Sequence, residues 1–133
     1  MRPALAPKFK LWISTGQNEG VFGDGKFRLL RAIEACGSLR GAADKLGISY
    51  RKAWGDLKKA ERILAVQLIE KKRGGLSGGS TVLTESGQRW VRAFSRFRTS
   101  IENHTNEEFK ILLDEVLLQG HLGGKEITPV KKK

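Results

Sequence analysis

The sequence predicts a mainly α fold with a small β component: a winged helix-turn-helix with an N-terminal β-hairpin before it and a long C-terminal dimerisation helix after it. Three observations predict this. Two short amphipathic helical segments are joined by Gly47-Ile48-Ser49 alone. A hairpin pattern over residues 66–84 carries the glycine-rich run GGLSGGS. Apolar residues then recur at helical spacing from Trp90 to Leu117.

The elements follow in order. Residues 8–14, KFKLWIS, alternate: Phe9, Leu11 and Ile13 share one face, and Lys8, Lys10 and Trp12 the other, which is a strand pattern. TGQN makes a turn, and Val21-Phe22 a short return strand. Asp24 is placed to cap a first helix whose stripe is Phe27, Leu30 and Ile33, flanked by Leu29, Ala32 and Cys36. Gly37 stops it, because glycine enters the left-handed conformation without steric cost. Ser38 caps a second helix with Leu39, Ala42, Ala43 and Leu46 on one face. Gly47 ends it, Ile48 packs inward, and Ser49 caps a third helix buried along Ala53, Leu57, Ala60 and Leu64. Val66–Lys72 and Thr81–Leu83 read as the wing strands. Thr84 caps a helix with the stripe Trp90, Phe94, Phe97 and Ile101. Asn103–Asn106 interrupts that stripe before Phe109, Leu112, Leu113, Val116 and Leu117 resume it. The pattern fits either one long helix or two broken near residue 105. The expected organisation is a flexible N-terminus at 1–7, the winged domain at 8–84, a helical dimerisation region at 85–119 and a disordered tail at 120–133.

Length and charge narrow the function classes. The 133 residues allow one domain with a modest core. No apolar run approaches the roughly 18 residues of a spanning helix, and the first residues lack a signal-peptide stretch, so a cytoplasmic location is expected and no membrane partner. Lys and Arg number 25 against 14 Asp and Glu, net +11. Residues 25–90 alone carry net +8, which favours a polyanionic partner. The lone Cys36 excludes an internal disulfide and is expected to be a buried, inert thiol. Neither His104 nor His121 has metal-ligand spacing or a catalytic arrangement around it. No cofactor is expected, and the reading is of a non-enzyme.

The candidate partner is double-stranded DNA. Ser49, Tyr50, Arg51 and Lys52 open the third helix on its polar side, where an arginine can pair with guanine O6 and N7. Trp54 lies at the edge of that helix's buried face, suited equally to packing or to a phosphate or partner contact, and Lys58 follows one turn on. Ser38 and Arg40 join them from the second helix, and Lys72, Arg73, Ser77, Ser80 and Thr81 from the wing. Lys71 also approaches the wing tip, while Lys59 and Arg62 read as solvated charges. The glycine-rich tip lacks the Gly-Lys-Ser/Thr of a phosphate cradle and lies between strands, so it reads as a wing. A continuous helix of roughly 34 residues would run about 50 Å and overhang so small a core. Its stripe therefore suits a homodimer interface made of Trp90, Phe94, Phe97, Ile101, Phe109, Leu112 and Val116.

A family resemblance attaches to these residues. Phe22-Gly23-Asp24-Gly25, Ala32-Ile33, Gly37-Ser38-Leu39, Ala42-Ala43 and the run Gly47-Ile48-Ser49-Tyr50-Arg51-Lys52-Ala53-Trp54 resemble the N-terminal DNA-binding domain of ModE-type molybdate-responsive regulators. The wing Gly74–Ser80, with Leu83-Thr84 and Gly87, extends the likeness, which covers residues 8–100 and is looser toward LysR-type winged helices. It implies a dimeric winged-helix DNA reader with its recognition residues at 49–52 and its wing at 74–81. The stretch after residue 100 is too short for the molybdate-binding domains of that family. A stand-alone DNA-binding module is therefore expected, and an oxyanion effector has no sensor domain to hold it. The functional expectation is a sequence-specific transcriptional regulator. The alternatives are an oxyanion-binding or protein-interaction module on the same scaffold, and a non-specific architectural DNA binder.

Overall fold

The computed structural model describes residues 3–73 and 80–121. In chain order the elements are β1 (Trp12–Ser14), β2 (Gly20–Gly23), α1 (Asp24–Cys36), α2 (Leu39–Leu46), α3 (Tyr50–Leu64), β3 (Ile69–Lys72), β4 (Ser80–Leu83) and α4 (Glu85–His121). They fall into two compact units. Lys10–Arg98 form one; the other is described from residues 3–9 and 99–121.

The core of the Lys10–Arg98 unit comes from the apolar faces anticipated for its helices. Leu30, Ile33, Ala42, Ala53, Leu57 and Ala60 are fully enclosed, with Leu29, Leu39 and Ala43 nearly so. β1 and β2 pair antiparallel, and Phe22 projects from β2 into the core. Its ring meets Trp90 at 4.8 Å and, edge-on, Phe94 at 5.2 Å; Phe94 also meets Phe27 at 5.3 Å. Such aromatic contacts contribute about 0.5–1.5 kcal/mol each beyond their buried area.

Helix ends follow the caps expected from sequence. Gly37 and Gly47 take φ of 78° and 72°, and their N–H groups close α1 and α2. The Ser38 hydroxyl accepts from Gly41 N–H at 2.9 Å, and the Ser49 hydroxyl from Lys52 N–H at 3.0 Å. The Thr84 hydroxyl accepts from Gly87 N–H at 3.0 Å at the start of α4. α3 ends differently: Ala65 adopts φ 59° in the left-handed region, where a Cβ costs energy.

β3 and β4 form the wing, paired antiparallel from Ile69 with Leu83 to Lys72 with Ser80. Its root is tied to the helices at several points. The buried Glu61 carboxylate on α3 accepts from Leu68 N–H at 2.8 Å and Ile69 N–H at 3.3 Å. Thr81 N–H donates to Gly37 O at 2.9 Å, and its hydroxyl accepts from Leu39 N–H at 3.3 Å, joining β4 to the α1–α2 turn. Thr84 donates both its N–H, to Leu68 O, and its hydroxyl, to Gln67 O. Gly87 is required here, since a Cβ would run into Leu68 O.

Several expectations are corrected. Asp24 does not cap α1; it is the first helical residue, and Gly23 occupies the cap position. Its carboxylate instead accepts from Leu11 N–H and from Arg98 Nε at 2.7 Å and Arg98 Nη2 at 3.3 Å. The Arg98 hydrogen bonds hold Asp24 below its usual value of 3.8, against the opposing effect of burial. Cys36 is exposed rather than buried: although it follows Ile33 and Ala32 on the core side, it is the last residue of α1. β1 is shorter than residues 8–14, and β3 begins at Ile69 rather than Val66, since Val66–Leu68 make the turn out of α3. Thr81 and Phe94 are both buried, which bears on their expected roles below.

The second unit is described from residues 3–9, which have no regular secondary structure, and from 99–121. α4 is one helix through residue 105; the Asn103–Asn106 interruption is polar but contains no glycine or proline to break it. Ile111, Leu112, Val116 and Leu117 are exposed along it, while Ile101 and Phe109 are half-buried. The expected disordered tail lies, from residue 122, outside the described residues. No helix among the described residues is long and apolar enough to cross a membrane.

Candidate nucleic-acid interface

The helix-turn-helix pair sets the site. α3 buries Ala53, Leu57 and Ala60 against the core, so its first turns present the opposite side to solvent. Ser49, Arg51 and Lys52 are exposed and Tyr50 is half-buried. The serine caps and the small Ala42 and Ala43, both buried in α2, let the two helices meet closely across Gly47-Ile48.

The charged side chains divide by what already holds them. Arg51 is exposed at the second position of α3 and makes no hydrogen bond or ion pair with the described residues. Lys52 pairs with Asp56 at 3.0 Å, and Lys58 with Glu61 at 3.0 Å. Lys59, expected to be only solvated, pairs with Glu19 at 3.5 Å, and Lys72 pairs with Glu70 at 3.7 Å. The Lys52, Lys59 and Lys72 pairs are exposed, worth about 0–1 kcal/mol, and are easily exchanged for a phosphate, whereas Lys58 is held by the buried Glu61. Lys26 on α1 adds to the same field. Burial pulls its ammonium below the usual lysine value; Asp56 opposes this, and Lys59 and Lys52 reinforce it.

Cations also lie over aromatic rings. The Arg40 guanidinium sits 4.6 Å from the Tyr50 ring centroid, and Lys58 Nζ 4.5 Å from that of Trp54. Lys71 Nζ lies 5.9 Å from both rings and donates to the Tyr50 hydroxyl at 3.3 Å. Trp54 is thus partly exposed and occupied on its face, between the two roles left open for it.

The structure gathers Ser49, Tyr50, Arg51, Lys52, Trp54 and Lys58 on α3, with Arg40 joining from α2. Ser38 and Ser49 spend their hydroxyls as caps. Lys72, Arg73 and Ser80 are exposed on the wing. Ser77 and the glycine-rich tip at 74–79 lie outside the described residues. Thr81 is withdrawn from the candidate set: it is 4% exposed and its hydroxyl is engaged by Leu39 N–H. Of the expected dimer residues, Phe94 is likewise withdrawn, since at 2% exposure it belongs to its own unit's core; Trp90 packs half-buried beside it. Phe97 is exposed.

Sequence reading missed Glu61 and gave no partner to Lys71. A glutamate on the polar margin of an amphipathic helix looks solvated, and only the fold brings the β3 amides to it.

Residues 25–88 match the model of the bacterial regulatory helix-turn-helix proteins, lysR family. The chain is similar to the transcriptional regulator ModE of Haemophilus influenzae, 35% identical over 90 residues, covering 68% of this chain and 34% of that protein. It is similar to the molybdenum-pterin-binding protein MopA of Rhodobacter capsulatus, 36% identical over 72 residues, covering 54% of this chain and 27% of that one. It is also similar to the DNA-binding transcriptional dual regulator ModE of Escherichia coli K12, 35% identical over 69 residues, with 52% and 26% covered. The chain therefore spans about a third or less of the length of these relatives. Among solved structures it resembles the CbnR DBD–DNA complex, with TM-score 0.53 and 18% identity over 66% of this chain and 95% of that one. The BenM DBD/benA site 1 DNA complex gives TM-score 0.52 and 22% identity over 66% and 93%. At these identities the likeness shows the winged-helix fold.

Proposed function

Because residues 25–88 form a helix-turn-helix domain of the LysR type whose curated relatives include ModE regulators, we propose that this protein is a sequence-specific DNA-binding transcriptional regulator acting as a homodimer. One observation carries the reading: the N-terminal turns of α3 turn their polar side to solvent, with Arg51 exposed and uncommitted beside Lys52, Lys59 and Lys72, whose partners are exposed and replaceable. Arg51 reads a guanine edge in the major groove. Arg40, Lys52, Lys58, Lys72 and Arg73 meet phosphates, which fix register without reading sequence. The solved neighbours are themselves complexes with DNA. Residues 8–84 serve as the reading domain. The exposed Leu112 and Val116 on α4, with Ile101 and Phe109, supply the face that pairs two copies.

Fluorescence anisotropy on duplexes selected from a random pool, across a salt series, tests this. Affinity falls steeply with salt, and selected duplexes bind at least about a thousand-fold tighter than scrambled ones. Arg51→Ala relaxes the preference at one base pair at a cost of about 1–3 kcal/mol, while Lys72→Ala weakens every duplex alike. Equal affinity for all duplexes refutes sequence-specific regulation. A monomer in sedimentation at micromolar concentration refutes the dimer.

A further inference from the structure

Two aromatic rings stand one helical turn apart on α3, Tyr50 half-buried with its ring packed against the core and Trp54 exposed, and cations from three different elements converge on them. Arg40 comes from α2, Lys58 from α3 itself and Lys71 from the wing strand β3. Tyr50 is the central member: its ring carries Arg40 at 4.6 Å, and its hydroxyl accepts from Lys71 at 3.3 Å. Lys58 has Glu61 as a counter-ion, but neither Arg40 nor Lys71 has a carboxylate partner among the described residues.

That arrangement has a physical consequence. Like charges brought together repel, and the negative faces of the rings offset only part of the repulsion. What satisfies the remainder is an anion spanning the row. Long cationic side chains also lose rotamer freedom when they bind, and a side chain already held against a ring loses less.

We propose that Tyr50 and Trp54 are positioning residues that read no base: they form a platform that holds Arg40 and Lys71, and through Lys71 the wing strand, where consecutive phosphates of one DNA strand meet both cations. This rests on the DNA-binding reading above and assigns these two side chains a role within it.

The test combines binding with a measurement that needs no DNA. Tyr50→Leu removes ring and hydroxyl together. It lowers affinity for selected and scrambled duplexes by the same factor, about ten-fold, and reduces the slope of log affinity against log salt by about 1–2. Tyr50→Phe keeps the ring under Arg40, loses the bond to Lys71, and falls between wild type and Tyr50→Leu. In double-mutant cycles, Tyr50→Leu combined with Arg40→Ala or Lys71→Ala costs no more than the larger single change. Overturning results are a changed ratio between selected and scrambled duplexes at an unchanged salt slope, which marks a base reader, or strictly additive losses. In the free protein, ring currents hold the Arg40 δ-methylene protons upfield, and Tyr50→Leu returns them to the position of an exposed arginine. Unshifted protons in the wild type overturn the platform itself. Shifted protons in a protein that binds no duplex overturn the DNA-binding reading and leave the platform without its assigned role.

Discussion

Removing the Glu61 carboxylate should cost more stability than removing any exposed charge in the molecule. Its Oε2 accepts the amides of Leu68 and Ile69, at 2.8 and 3.3 Å, and its Oε1 the ammonium of Lys58 at 3.0 Å. Glu61 is 9% exposed, and Leu68 and Ile69 are buried, so water does not readily replace it. Glu61→Ala orphans two buried N–H groups. At about 1–3 kcal/mol for each unsatisfied donor, less for the longer and weaker bond to Ile69, the expected loss is about 3–4 kcal/mol. Glu61→Gln keeps one acceptor oxygen for Leu68 and loses the charge assistance, so it costs about 1–2 kcal/mol. A domain stable by about 5–15 kcal/mol survives either change, so both variants can be studied folded. Urea unfolding followed by circular dichroism gives the stabilities, and amide exchange of Leu68 and Ile69 gives the location. Protection at those two amides falls first and furthest, because they lose their acceptor directly. A loss under about 1 kcal/mol in Glu61→Ala, or unchanged protection at Leu68 and Ile69, refutes the assignment of Glu61 as the clamp on the wing root.

Three further outcomes follow from local geometry. Asp24→Asn weakens the bidentate pair with Arg98 and costs about 2 kcal/mol at neutral pH. Since Asp24 titrates below its unfolded value of 3.8 in the native state, that stability is complete above 3.8 and disappears as pH falls through the lowered native value; wild type and variant therefore converge in acid, and a gap independent of pH from 7 to 2 contradicts it. Ala65→Gly relieves the left-handed backbone at the end of α3 and raises stability by about 0.5–1 kcal/mol, offset in part by the greater freedom of an unfolded glycine; thermal unfolding at unchanged or lower temperature contradicts it. Cys36, being exposed, reacts with a thiol reagent in the folded protein at a rate close to that in the urea-unfolded chain, whereas a reaction gated by unfolding would show that the thiol is enclosed.

Local signals made the helices legible. The spacing of Leu39, Ala42 and Ala43, the glycines at 37 and 47, and the caps at Ser38, Ser49 and Thr84 each act within a few residues, and each is present in the structure. The failures at Asp24, Thr81 and Phe94 share a cause: they concern side chains whose role depends on residues far away in sequence. Asp24 has the chemistry of a cap, but Arg98, 74 residues on, takes its carboxylate. Thr81 resembles an exposed wing donor until Leu39, 42 residues earlier, is brought against it. Phe94 lies on the same stripe as Phe97, and periodicity cannot say that the stripe leaves the core between them. At the candidate interface, the outward set on α3 followed from the inward set. The rings under Arg40 and Lys71 did not, because three separate elements supply that arrangement.

The two bonds from Thr81 to the α1–α2 turn give the wing a mechanical character. β4 hangs on Gly37 and Leu39, at the elbow from which α2 departs. A pull on the hairpin is therefore delivered to the base of α2, one residue from Arg40, and a tilt of α2 is returned to the hairpin. The hairpin and α2 thus share a pivot, and a displacement of either strains the same two hydrogen bonds.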